Sequence, residues 1–118
     1  IMKKNLTMIL MMLGVFILSQ QSGMATYYGK QYHGRKTTSG EIFNMYSLTC
    51  ASSTKYKLGT ILEITNVSNG KSFIVKVNDR GRDIVGNRID LSQAAFSKIA
   101  DLKKGIVKIL IKVLVDSK

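Results

Sequence analysis

Three carboxylates stand at turns or element ends, where a side chain can meet solvent and a ligand together. Glu41 directly follows Gly40 in a loop, Asp79 ends an apolar alternation just before Arg80-Gly81, and Asp90 lies two residues ahead of a helix-capping Ser92. A carboxyl so placed can protonate a leaving oxygen or steady a developing positive charge. It can equally cap backbone N–H groups in a turn, complement a helix dipole or rest in water. The acid role needs a carboxyl kept protonated by desolvation or by a neighbouring negative charge. Arg80, were it to pair with Asp79, would favour the charged form and so the stabilising role. Tyr27, Tyr28 and Tyr32 offer flat faces on which rings can stack, although aromatics in short strands also fill cores. Tyr28 is expected to be the most exposed of the three.

His33 is the only histidine and Cys50 the only cysteine. One of each makes no usual zinc site, and no calcium-loop pattern is visible, so neither a metal nor another cofactor is expected. A single cysteine forms no intramolecular disulfide, and Cys50 reads as a buried strand residue. His33, in a loop beside Gly34 and Arg35, can bind a ligand or serve structure alone.

The elements that must position these groups are short strands between turn signals, with one helix. Residues 25–28 and 47–51 are β-prone. Residues 60–66 alternate, with Leu62 and Ile64 on one face. Asn69-Gly70 supplies left-handed residues for a tight hairpin, and 72–78 returns with Phe73, Val75 and Val77 together. Ser92 is a helix N-cap, followed by Ala95, Ile99 and Leu102 at helical spacing, with Gly105 as the stop. Residues 106–115 alternate again, Val107, Ile109, Ile111 and Val113 against Lys108 and Lys112. Many short strands in so short a chain predict one small closed barrel, because closure removes exposed edges.

Lys3 and Lys4 precede an apolar run over residues 6–18 and a polar Ser19-Gln20-Gln21-Ser22. This is the pattern of a secretory signal peptide, and the run is short of the roughly 20 residues that span a bilayer as a helix. The expected organisation is a signal peptide over 1–21 and one domain over 22–118. The product is an exported protein in the periplasm or outside the cell, with no lipidated cysteine and no stable membrane anchor. The net charge of +11 over 118 residues favours polyanionic surroundings. Export makes the bacterial envelope the better partner than nucleic acid, for which no motif appears.

Several blocks agree with one family. They are Gly23-Met24-Ala25-Thr26-Tyr27-Tyr28-Gly29, Tyr32-His33-Gly34-Arg35 through Ser39-Gly40-Glu41-Ile42-Phe43, Leu48-Thr49-Cys50-Ala51, Val77-Asn78-Asp79-Arg80-Gly81 and Ile89-Asp90-Leu91-Ser92. In this order and spacing the chain resembles the rare lipoprotein A (RlpA-like) family. The resemblance implies an all-β fold, a six-stranded double-psi β-barrel with one or two short helices. It implies an endolytic lytic transglycosylase that cleaves peptidoglycan glycan strands, preferably without stem peptides, leaving 1,6-anhydro ends. On that pattern Asp79 and Glu41 form the acid and stabiliser pair, and Asp90, which aligns with the acid of related barrels, is the third candidate. Tyr28, His33, Asn78 and Arg80 become the glycan contacts, and the protein is expected to act as a monomer. Two departures stand out: the chain has no lipidated cysteine, and Ser52 stands where many members carry a histidine. The alternative is a non-catalytic, expansin-like module that binds and loosens the wall.

Overall fold

The computed structural model describes residues 20–117. The signal peptide expected over 1–21 lies, as far as residue 19, outside the described residues. The chain forms six strands, β1 (Gln20–Tyr28), β2 (Thr49–Ser52), β3 (Ile61–Asn66), β4 (Ser72–Arg80), β5 (Arg88–Ser92) and β6 (Val107–Val115), with a short helix α1 (Gln93–Ser97) packed against β1 and β5. The strands close into a barrel in the order β1-β5-β2-β4-β3-β6. The pairs β1/β5 and β2/β4 are parallel and the other four antiparallel.

The alternations read from the sequence fill this barrel. Leu62 and Ile64 of β3, Val75 and Val77 of β4, and Ile109 and Ile111 of β6 are buried together with Ile89 and Leu91 of β5. Phe96 of α1 and Ile99 plug one end, and Cys50 is fully buried, as expected. Val113 departs from its expected face: it is exposed, because β6 runs on past the core alongside a register shift at Ile61/Leu62.

Four expectations are corrected in detail. β1 begins at Gln20 rather than at residue 25, its polar start held by β6 through Gln20↔Lys112 and Gln21↔Ile111. Residues 88–92 form a strand the periodicity did not announce, because five residues carry too little pattern to stand out. The β3–β4 connection is longer than a two-residue turn. Only Gly70, at φ 74°, is left-handed, and Gly70 N–H donates to the Asn66 carbonyl at 2.9 Å. Finally, the helix is short. Ser92 caps it as expected, its Oγ accepting from Ala95 N–H at 3.1 Å. The Ile99 carbonyl, however, is taken by the side-chain amides of Asn66 (2.8 Å) and Asn69 (2.9 Å). Asp101 then caps a separate 3-10 turn, Leu102–Lys104, that ends at Gly105.

Candidate functional site

β2 lies between β4 and β5, and its Ala51 pairs with Asp79 on one side and Asp90 on the other. Asp90 pairs in turn with Thr26 of β1. Two strand spacings, roughly 10 Å, therefore separate the backbones of the two aspartates. Asp90 accepts a hydrogen bond from the Thr26 hydroxyl and lies 3.9 Å from the Arg88 guanidinium. It is a mid-strand residue, which replaces the expectation that it complements a helix N-terminus.

Asp79 Oδ1 accepts three hydrogen bonds, from Thr38 N–H (3.0 Å), the Thr38 hydroxyl (2.9 Å) and Arg80 N–H (2.9 Å). The Asp79–Arg80 ion pair considered from the sequence does not form. Adjacent strand residues project to opposite faces, and Arg80 Nη1 donates instead to Oγ of the buried Ser52 at 3.2 Å.

Glu41 comes to the same place on the loop between β1 and β2. That loop folds back on itself: Phe43 N–H reaches the Arg35 carbonyl at 2.7 Å and Thr37 N–H the Glu41 carbonyl at 2.8 Å. Gly40, at φ 94°, makes the reversal that a residue with a Cβ would resist. Buried Phe43 and Met45 pin the loop to the barrel, and Ser39 N–H donates to the Asn78 carbonyl at 3.1 Å. The Glu41 carboxylate receives Lys76 Nζ of β4 at 2.7 Å, with the Ser39 hydroxyl at 3.4 Å. The Lys76 hydrogen bond above all, opposed by slight desolvation and aided by the charge of Lys76 and by Asn78 and Ser39, holds Glu41 below the usual carboxylate range. Asn78, buried between these groups, has its Oδ1 without a partner. One loop tip thus grips both carboxylates, Thr38 on Asp79 and Ser39 beside Glu41.

The aromatic side chains divide differently from expectation. Tyr27 turns to the core, against Phe96 at 4.9 Å, with its hydroxyl on the Leu102 carbonyl. Tyr28 is half-buried, stacked on Phe43 at 4.6 Å and edge-on to Tyr32 at 5.7 Å. Its hydroxyl is buried beside the Asp79 carboxylate, outside ordinary hydrogen-bond geometry. Burial first, then the charges of Asp79, Cys50 and Asp90 and the hydrogen-bonding contact with Asp79, push its pKa far up, so it can act only as a neutral donor. Tyr28 is therefore not the most exposed tyrosine of the three: Tyr32 is 42% exposed, and Tyr46, unremarked in the sequence, 74%. The reason is the covering loop, which lays Phe43 on the Tyr28 ring. His33 is exposed, with Nδ1 accepting Met45 N–H at 3.1 Å and its ring edge-on to Tyr46. Its neutral form thus carries the proton on Nε2. Tyr32, His33 and Tyr46, with Ile42 and Leu48, are exposed on the same loop as Glu41.

Beyond Arg80 opens a cleft of about 590 Å³, walled by Ser52, Lys55, Arg80, Gly81, Ile84 and Val85 among others; none of the three carboxylates lines it. Sequence reasoning missed Thr38 and Lys76 as supports of the acids. The only signal available was the hydroxyl-rich Thr37-Thr38-Ser39 ahead of Gly40-Glu41, and the outward parity of Lys76 in β4.

A closed six-stranded barrel with two parallel pairs, β1/β5 and β2/β4, defines a double-psi β-barrel protein. A family model described as lytic transglycolase matches residues 20–111, and the chain belongs to that family. It is 45% identical over 94 residues to the endolytic peptidoglycan transglycosylase RlpA of Vibrio cholerae, covering 80% of this chain and 35% of that protein. The chain thus spans about a third of that relative's length. Among solved structures, it resembles the Streptomyces papain inhibitor (28% identity, TM-score 0.69, covering 81% of this chain and 94% of that one). It is also similar to an apo expansin from Clavibacter michiganensis (25% identity, TM-score 0.69, covering 84% and 52%).

Proposed function

We propose that the protein is an endolytic lytic transglycosylase of bacterial peptidoglycan, acting outside the cytoplasm on glycan strands, and preferring strands without stem peptides. The observation that carries this reading is the joint presentation of Asp79 and Glu41 by one strand and one loop tip, with Tyr32 and Tyr46 exposed on the same loop. The name of the Vibrio relative supports the substrate class.

In the proposed reaction the Asp79 carboxyl, protonated on Oδ2 because Oδ1 is taken by Thr38 and Arg80, gives that proton to the glycosidic oxygen as the C1–O bond breaks. The carboxylate so formed takes the proton of the same sugar's C6 hydroxyl as O6 bonds to C1. The anhydro ring closes, no water is consumed, and Asp79 ends as it began. Glu41, kept ionised by Lys76, faces the positive charge that develops at the anomeric carbon. The buried Tyr28 hydroxyl faces the Asp79 carboxyl and helps to position it, Asp90 with Thr26 borders the groove, and Asn78 and His33 Nε2–H are polar contacts for the sugars.

The second reading, an expansin-like module that binds without turnover, is favoured by one observation. Ser52, standing where many relatives carry a histidine, is fully buried and engaged by Arg80, so it offers no acid or base.

Incubation with peptide-free glycan strands, read by mass spectrometry, separates the two. The expected products have anhydro ends, and Asp79→Asn abolishes them, a loss of at least about a hundredfold, while strands still bind. Reducing ends in place of anhydro ends would indicate hydrolysis, and uncut but bound strands would favour the module.

A further inference from the structure

We propose that the cleft beyond Arg80 is a subsite for a free carboxylate carried on the glycan. The lactyl ether of a muramic acid residue presents such a group when no peptide is attached. The inference rests on the glycan reading above and adds to it the group that selects the strand.

The cleft begins where the parallel strands β2 and β4 end side by side, at the pair Ser52↔Arg80. That is one residue beyond Asp79 at the end of β4. Because Arg80 points to the other face, it is a substituent passing round the strand end, not the ring over Asp79, that enters the cleft. Two cations border it. Arg80 is fixed through Nη1 by the Ser52 hydroxyl, which itself donates to the Ser53 carbonyl at 2.9 Å. Lys55 Nζ is held by the side-chain oxygens of Gln21 and Asn87. Both are thus oriented by neutral oxygens, and neither pairs with a carboxylate among the described residues. Asp83, on the same loop as Gly81, is exposed and does not line the cleft. An arginine anchored through one nitrogen keeps its remaining N–H groups for a planar acceptor, the geometry in which guanidinium and carboxylate bind best.

Ser53 and Thr54 add hydroxyls to the wall, and its apolar part is formed by Ile84 and Val85. Ile84 packs close to Gly81, where a Cβ would come within 2.6 Å of Ile84 Cδ1, and Val85 is 74% exposed. A cation pair facing alkyl side chains suits a short substituent with a carboxylate next to a methyl group, as in a lactyl ether. A peptide bonded there would replace the carboxylate by an amide, removing the charge and adding bulk. The volume of about 590 Å³ admits a sugar substituent of that size.

The test measures binding of a tetrasaccharide of alternating N-acetylglucosamine and N-acetylmuramic acid by calorimetry, with its lactyl groups either free or converted to methylamides. Free acid should bind the native protein at least about tenfold more tightly than amide. Arg80→Gln should bring the ratio close to one, and Lys55→Gln should lower it by a smaller factor. Equal binding of acid and amide to the native protein overturns the proposal without need of any variant, as does an unchanged ratio in a folded Arg80→Gln protein. Cleavage of both forms to anhydro ends with equal binding sinks the subsite and leaves the lytic reading standing. Discrimination without cleavage sinks the lytic reading and leaves the subsite.

Discussion

Glu41 and Lys76 are 35 positions apart, yet their contact sets how the site should respond to pH. Lys76 holds the Glu41 carboxyl below its ordinary range, so the ionised form persists to lower pH than in an isolated glutamate. The proposed role of Glu41 requires that ionised form. Removing the cation in Lys76→Met returns the pKa upward, and the acidic limb of kcat/KM moves to higher pH, with little change near neutrality where Glu41 is ionised either way. The pH–rate profile reads this directly, and an unmoved limb would remove Glu41 from the mechanism. Because this carboxylate is largely exposed, the same change should leave Tm almost unaltered. Tyr28 separates stability from activity in a second way. Its buried hydroxyl has only a loose contact with the Asp79 carboxylate, outside ordinary hydrogen-bond geometry, so Tyr28→Phe should leave stability nearly unchanged. Cleavage should fall about tenfold, since Asp79 loses the group that faces it.

At the scale of elements, the site depends on how the β1–β2 loop is tied down. Ser92 does two things there: its hydroxyl accepts Ala95 N–H and donates to the Ser47 carbonyl at 2.5 Å, joining the start of α1 to the end of the loop. Ser92→Ala should cost about 1–2 kcal/mol in thermal or urea unfolding, with the loop end loosened as well. If the cost is no larger than a few tenths, the cap does not hold the loop. Within elements, legibility followed length and alternation. β3, β4 and β6 could be read because each buries every second residue for several residues in a row. β5 and the start of β1 could not. Gln20, Gln21 and Ser22 have no apolar pattern, and they are strand because β6 supplies a ladder for them.

At the scale of the molecule, the barrel has one core, and every strand pairs on both sides. Ile111 is 1% exposed near the middle of β6, between β1 and β3. Ile111→Ala should therefore cost about 2–5 kcal/mol, with the urea midpoint lowered and the slope unchanged. A small loss would mean that the two neighbouring strands collapse onto the gap. The closing pairs join residues far apart in the chain, such as Gln21 and Ile111, so the wall that carries Asp79, Ala51, Asp90 and Thr26 exists only once the ring has closed.

The sequence by itself determined the barrel class, the buried faces of three strands, the Ser92 cap and the candidate acids at 41, 79 and 90. All of these rest on local spacing and residue type, or on the family resemblance those blocks carry. Only the tertiary structure decided that Arg80 turns to Ser52 rather than to Asp79, that Lys76 charges the surroundings of Glu41, and that Phe43 covers Tyr28. The physical reason is that period and propensity act over a few residues. The partner of a side chain is chosen by strand order and register, which come from closing the whole ring around its core.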